Sequence, residues 1–206
     1  MNKSTSDQSI EDFGADVLDE MEREFHDEPD RVIAVVGAAY LDAMLERMFR
    51  SALIDSEEDT NKLLRMDGPL GSNGARVQIA LCLGLITSDQ CSDLKRIAKI
   101  RNLFAHNFKD VSFDKDPVRG YCSALKRPSI VAKMPGKLFD PELATALEAA
   151  VMNDSNRPRE QYRLAVIDLF GALLRRIYYM RKASHQSWFS YDPDAVMGPG
   201  RPAANT

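Results

Sequence analysis

Arg101, Asn102 and His106 are residues whose types and spacing suit chemistry on an anionic group. Arginine matches a phosphate with paired hydrogen bonds, and histidine titrates near neutral pH. Together they can bind an anion and move a proton without a metal. His106 follows Asn102 by four residues, which places both on one side of a helix. The sequence therefore indicates a cluster of Arg, Asn and His near a helix end.

The stretch from Asp93 to Phe108 predicts the helix that positions this cluster. At about 100° per residue its apolar side chains fall on one broad arc, as in a helix packed against a core. The residues of this arc are Leu94, Ile97, Ala98, Ile100, Phe104 and Ala105. Arg101 falls within the same arc, and a guanidinium on a buried stripe needs a carboxylate, a cleft or a bound anion.

The preceding segment over 31–53 is apolar on nearly every side in its first half, which predicts the central helix of the core. Asp42 and Glu46 interrupt it four residues apart. Such acids either lie at a rim or pair with a buried cation, and Arg101 is the cation that needs a partner. We expect Glu46 to pair with Arg101. The alternative is an exposed Glu46 that bridges Arg50, four residues later.

Helical periodicity recurs along the chain and predicts an all-α bundle of about six or seven helices. The further predicted helices are an amphipathic one over 10–25, a short one over 63–66, one over 76–85, and two opened by prolines over 141–152 and 158–182. Thr87 or Ser88 is expected to cap the Arg101 helix. The stretch between His106 and Pro141 is read as an irregular excursion with short helical turns. We expect a disordered tail over 1–8, a single helical domain over 9–186 and a flexible tail over 190–206.

Composition excludes several classes of protein. Hydrophobic residues make up 44% and charged residues 28% of the 206 positions, an ordinary balance for a globular protein. No apolar run is long enough to span a membrane and the N-terminus lacks the pattern of a signal peptide, so we expect a cytoplasmic protein. Cys82, Cys91 and Cys122 lack paired CxxC spacing, which favours small buried thiols over a disulfide framework or a zinc site. We therefore expect no cofactor and no metal.

Charge is distributed unevenly along the chain. Residues 1–30 carry 11 acids and two bases, so the other 176 residues hold 20 acids and 25 bases. A body with a net charge of +5 can prefer an anionic partner, although helical charges more often form a solvated face.

A glycine-rich stretch and the residues after it carry a family resemblance. DGPLG over 67–71 lacks GK[ST] and a preceding strand, so it is a structured turn rather than a phosphate loop. DGPLG is followed by Arg76, by LCLGLI over 81–86, and by a charged helix that ends in the Arg101-x4-His106 pair. In these features the chain resembles the mannitol operon repressor family of bacterial regulators over about 31–108. The resemblance implies an all-helical protein linked to transcriptional control of sugar alcohol uptake. It also implies no helix-turn-helix for direct, sequence-specific DNA reading, and this chain shows none.

The hexapeptide RNLFAH over 101–106 resembles the R-N-x-x-x-H signature of the HEPN superfamily, which includes metal-independent endoribonucleases of the toxin or defence type. This resemblance implies a HEPN-like bundle, active as a homodimer. Arg101 would bind the scissile phosphate, His106 would transfer protons, Asn102 would orient them, and Glu46 would supply the acid of the preceding helix. Because one chain has one such histidine, a twofold axis would provide the second proton carrier.

Two functions from different classes follow. The favoured one is a non-enzymatic regulator that acts through contacts with a protein partner, either a DNA-binding regulator or an antitoxin. The alternative is a ribonuclease that cleaves RNA with Arg101 and His106 across a dimer interface. A purely structural reading also stays open, in which Arg101 pairs with Glu46 and His106 caps the last carbonyls of its helix.

Overall fold

A computed structural model describes residues 10–26, 28–53, 56–107, 109–126 and 157–184. These residues form seven helices and no strand: α1 (Ile10–His26), α2 (Asp30–Ala52), α3 (Glu57–Leu64), α4 (Asn73–Cys82), α5 (Ser88–His106), α6 (Val118–Ser123) and α7 (Pro158–Ser184). The all-α prediction is confirmed. The predicted helix over 141–152 and both predicted tails lie outside the described residues.

Local signals explain where the helices begin. The Ser56 and Ser72 side chains accept hydrogen bonds at the starts of α3 and α4, and Thr87 forms a capping box with Gln90 at the start of α5. The prediction of Thr87 as a cap is confirmed. The short helix expected over 63–66 is wrong in its bounds, because Ser56 starts α3 within the polar stretch before it.

Helix α2 is the central element, as predicted, and packs mainly against α7 and α5. Tyr162 of α7 is fully buried, and its hydroxyl donates a hydrogen bond of 2.8 Å to the Ala34 carbonyl. A Cβ on Gly37 would lie 3.2 Å from Tyr162 Cε1, so the close approach of α2 and α7 depends on this glycine.

The DGPLG stretch folds tightly against the end of α3. A Cβ on Gly68 would lie 2.4 Å from the Lys62 carbonyl oxygen, and a Cβ on Gly71 would lie 2.4 Å from that of Arg65. Only glycine allows such an approach of backbone to backbone. This close packing supports the prediction of a structured turn.

The three cysteines are free, as predicted, but they differ in exposure. Cys91 and Cys122 are buried, and burial raises the pKa of the Cys122 thiol to about 12. The prediction of a buried thiol is wrong for Cys82, which lies exposed at the end of α4 near the exposed Ile79 and Leu83. The described residues hold no helix that could span a membrane and no group of three residues suited to a metal ion.

Candidate functional site

Helix α5 ends in a contact with α2. Arg31 donates hydrogen bonds to the carbonyls of Phe104 and Asn107, the latter over 2.6 Å. These carbonyls are the free acceptors of a helix end, where a cation is favourable. Arg31 therefore occupies the capping position that the structural reading assigned to His106, and His106 is exposed on the last turn.

Arg101 is exposed rather than buried. Its Nη1 donates a 3.0 Å hydrogen bond to Oδ1 of Asn102, which is also exposed. The core covers one side of the apolar arc of α5, where Ile97, Ile100 and Phe104 are buried. Arg101 lies on the other side of this arc, beside the cavity described below. Of the three environments expected for this guanidinium, the structure provides a cleft.

The predicted pair of Glu46 with Arg101 is wrong. Glu46 lies 2.9 Å from Arg50 and 3.4 Å from Arg76, and Asp42 lies 3.0 Å from Arg76. The alternative bridge to Arg50 is confirmed. The buried cation that the two acids of α2 serve is Arg76, whose side chain is only 7% exposed.

Arg76 also binds the chain around the DGPLG turn. Its Nε donates to the Leu70 carbonyl over 2.8 Å, and its Nη2 donates to the Leu64 carbonyl over 3.2 Å. All three guanidinium nitrogens of Arg76 thus donate hydrogen bonds. These bonds give the buried cation an acidic partner and give two backbone carbonyls a donor.

Arg101 and Asn102 line a cavity of about 600 Å³ between α2, α4 and α5, which we call the α5 groove. Its apolar lining comes from all three helices and consists largely of Val35, Ala38, Ala39, Val77, Leu94 and Ala98. Its polar lining is Lys95, Lys99, Arg101 and Asn102 of α5, Asp42 of α2 and Asn73 of α4. A groove of this volume with an apolar surface and a few polar groups is typical of a binding site.

His106 does not belong to the lining of this groove. The structure therefore brings Arg101 and Asn102 together but leaves His106 on the exposed turn beyond them. Glu46 lines a different cavity of about 630 Å³, with Arg47 and Arg50 and with Phe13 of α1. The four residues predicted as one site thus fall into three places.

Sequence reasoning did not single out Lys95 and Lys99, which join Arg101 along the groove. Among the described residues, no carboxylate lies within 4.0 Å of any of these three cations. Lys95 donates to the Gln78 amide over 3.1 Å, and Lys99 lies 5.5 Å from the Tyr121 ring. Many other cations are paired with acids: Arg50, Lys62, Arg65, Arg76, Arg96, Lys115, Arg119, Lys126, Arg159 and Arg163.

The model of the mannitol repressor family matches residues 31–163. The chain belongs to the mannitol repressor family. The matched range contains α4, α5 and all of α2 except its first residue, Asp30. The residues that build the α5 groove and the Arg76 ion pairs therefore lie within the mannitol repressor region.

Solved structures share the fold of this mannitol repressor family member. The chain is similar to MtlR in the X-ray structure of the MtlR-HPr complex from Escherichia coli, with a TM-score of 0.55 and 19% identity over 81% of this chain and 99% of that chain. It is also similar to the possible transcriptional regulator YggD from Shigella flexneri 2a, with a TM-score of 0.52 and 15% identity over 84% of this chain and 99% of that chain. Among the curated proteins, none matches the chain significantly.

Proposed function

We propose that this chain is a non-enzymatic bacterial regulatory protein that acts through protein contacts in transcriptional control. The observation that carries this proposal is the mannitol repressor match over 31–163, which covers most of the described helices. The α5 groove supports it, because an apolar groove with unpaired charges suits a contact with another macromolecule.

The partner in this proposal is a protein, either a DNA-binding regulator or an antitoxin, and the complex forms in the cytoplasm. The structurally similar MtlR was solved in a complex with HPr, so HPr is the first partner to test. Since we expect no direct, sequence-specific reading of DNA by this chain, the partner links it to transcription. We propose that the chain itself is a homodimer.

Two measurements test the regulatory function. Deletion of the gene is expected to change the level of a defined set of transcripts, and the wild-type gene on a plasmid is expected to restore them. Titration of the purified chain with HPr in a calorimeter is expected to show direct binding. Unchanged transcripts after deletion would reject the regulatory function, whereas absent heat with HPr would reject only that partner.

RNA cleavage is the second candidate function. It is favoured by the exposed pair of Arg101 and Asn102 and by the exposure of His106 four residues after Asn102. In this candidate the chain is a HEPN-type homodimer. Arg101 binds the scissile phosphate, Asn102 orients the reacting groups, and the two copies of His106 act as base and acid. The acid assigned to Glu46 has less support, because Arg50 and Arg76 already bind this carboxylate.

The ribonuclease candidate requires cleavage of RNA in the presence of EDTA. His106→Ala is expected to abolish this cleavage without unfolding the protein, because His106 is exposed and its removal leaves the core intact. Lys109→Ala, which removes a nearby exposed cation, is the matched control and should cleave like the wild type. Intact RNA after incubation with the wild-type protein would reject this candidate.

A further inference from the structure

We infer that the α5 groove binds an acidic amphipathic helix of a partner protein. This inference rests on the proposed regulatory function and names the chemistry of the segment that the partner presents. Its starting point is the set of three cations in one groove, Lys95, Lys99 and Arg101, with no acidic partner among the described residues.

The groove has a positive character because its own acid is already engaged. Asp42 is the acidic residue in the lining, and its Oδ1 accepts hydrogen bonds from Arg76 and from Asn73, each over 3.0 Å. Asp42 is therefore poorly placed to neutralise the cations of α5. Carboxylates from a partner would gain three cations that have no acidic partner among the described residues, at a surface where binding also removes apolar area from water.

The spacing of the cations fits a helix better than a single small anion. Lys95 and Lys99 are four residues apart in α5, which corresponds to a rise of about 6 Å along the helix axis. A single phosphate can reach both lysine side chains, but it leaves the apolar lining of the groove uncovered. Acids four residues apart on a helix running beside α5 have the same spacing, and their helix can lay an apolar face on the small and branched side chains of the groove.

The lining also argues against nucleic acid as the guest. Single-stranded RNA is bound largely by stacking its bases on aromatic rings. The groove residues that the structure describes include no Phe, Tyr or Trp, and they are mainly Ala, Val, Leu and Ile. These side chains offer apolar packing and no stacking surface.

A second copy of this chain is a weaker candidate, although residues 1–30 carry 11 acids. Helix α1 holds many of these acids, but its apolar residues Met21 and Phe25 are fully buried against its own chain. Helix α1 can therefore offer acids to another copy without the apolar face that the groove requires.

Fluorescence anisotropy of the full chain with labelled probes tests this inference. The first probe is a designed 18-residue peptide with Glu at every fourth position of one face and Leu and Ala on the other. Its controls are a scrambled isomer, an isomer with Lys in place of Glu, and an 18-nucleotide RNA. We expect the acidic amphipathic peptide to bind most tightly, with an affinity that falls as salt is added.

Two triple variants with intact circular dichroism provide the matched comparison. Lys95→Glu, Lys99→Glu and Arg101→Glu together should weaken binding of the acidic peptide by about tenfold or more. Lys62→Glu, Arg65→Glu and Arg119→Glu together change exposed cations outside the groove and should leave it unchanged. Equal binding by both triple variants would overturn the inference.

The inference would also be overturned if the scrambled or basic peptide bound equally well, if RNA bound more tightly, or if no probe bound. Self-association of the wild type that the groove variant abolishes, without peptide binding, would assign the groove to a second copy. If the acidic peptide does not bind but deletion of the gene changes transcript levels, this inference alone is rejected. If the peptide binds but deletion leaves transcript levels unchanged, the regulatory function alone is rejected.

Discussion

The guanidinium of Arg76 lies 3.0 Å from the carboxylate of Asp42, and this ion pair joins α4 to α2. It has two consequences for the molecule. Arg76 holds the Leu64 and Leu70 carbonyls and thereby orders the turn between α3 and α4. It also engages the acid of the α5 groove, which leaves the cations of α5 available.

Arg76→Ala is expected to destabilise the protein by about 2–4 kcal/mol, because it leaves the Leu64 and Leu70 carbonyls without this donor and removes the cation that Asp42 and Glu46 share. Arg50→Ala removes an exposed partner of the same Glu46 and should cost less than about 1 kcal/mol. Urea unfolding of both variants measures the difference. Similar losses for the two variants would contradict the role assigned to Arg76.

Gly68→Ala and Gly71→Ala are each expected to lower the free energy of unfolding by more than about 2 kcal/mol, because the new Cβ would overlap backbone carbonyls at 2.4 Å. At Gly74, in the first turn of α4, nothing lies within 4 Å of an added Cβ. Gly74→Ala should therefore stabilise the protein, by up to about 1 kcal/mol. Thermal unfolding of the three variants tests this ordering, and a stable Gly68→Ala variant would refute the tight turn.

One of the three thiols should react with a disulfide reagent such as DTNB in the folded protein. Cys82 is exposed, whereas Cys91 and Cys122 are buried and the pKa of Cys122 is raised to about 12. We expect one equivalent of released thiolate under native conditions and three after denaturation. Cys82→Ser should abolish the native reaction, and a remaining fast reaction in that variant would show that a buried thiol is accessible.

Asp168→Asn should stabilise the protein at neutral pH. Burial raises the pKa of the Asp168 carboxyl above its usual value. The charge of Arg175 opposes this rise in part, and the charge of Asp93 adds to it. The folded state therefore holds the proton more tightly than the unfolded state, so this group's contribution to stability falls as pH rises from the unfolded pKa through the folded one. The gain from Asp168→Asn should disappear in acid below both pKa values.

Denaturant unfolding across pH measures the effect of Asp168→Asn, and Asp114→Asn at an exposed position is the control. The control should change stability little at any pH. A destabilised Asp168→Asn protein at neutral pH would show that the charged carboxylate is favourable where it lies.

Local patterns in the sequence predicted much of the fold. The apolar spacing of Met21 and Phe25 in α1, and of Tyr162, Leu169 and Ile177 in α7, marks the buried faces that the structure shows. Such faces depend on the helical repeat alone, and a cap such as Thr87 depends on its own neighbours in sequence. For that reason the buried sides of these helices could be predicted from the sequence.

The site depended on contacts between distant segments. Arg76 and Asp42 are 34 positions apart, and no periodicity shows which of several cations approaches the acids of α2. A helical projection of the sequence places Arg101 on the apolar arc of α5, but it does not show where the core ends and the α5 groove begins. The sequence by itself determined most of the helices, their apolar faces and the family. The tertiary structure alone decided that Glu46 pairs with Arg50 and Arg76 and that Arg101 faces solvent, because ion pairing and exposure are set by which helices lie side by side.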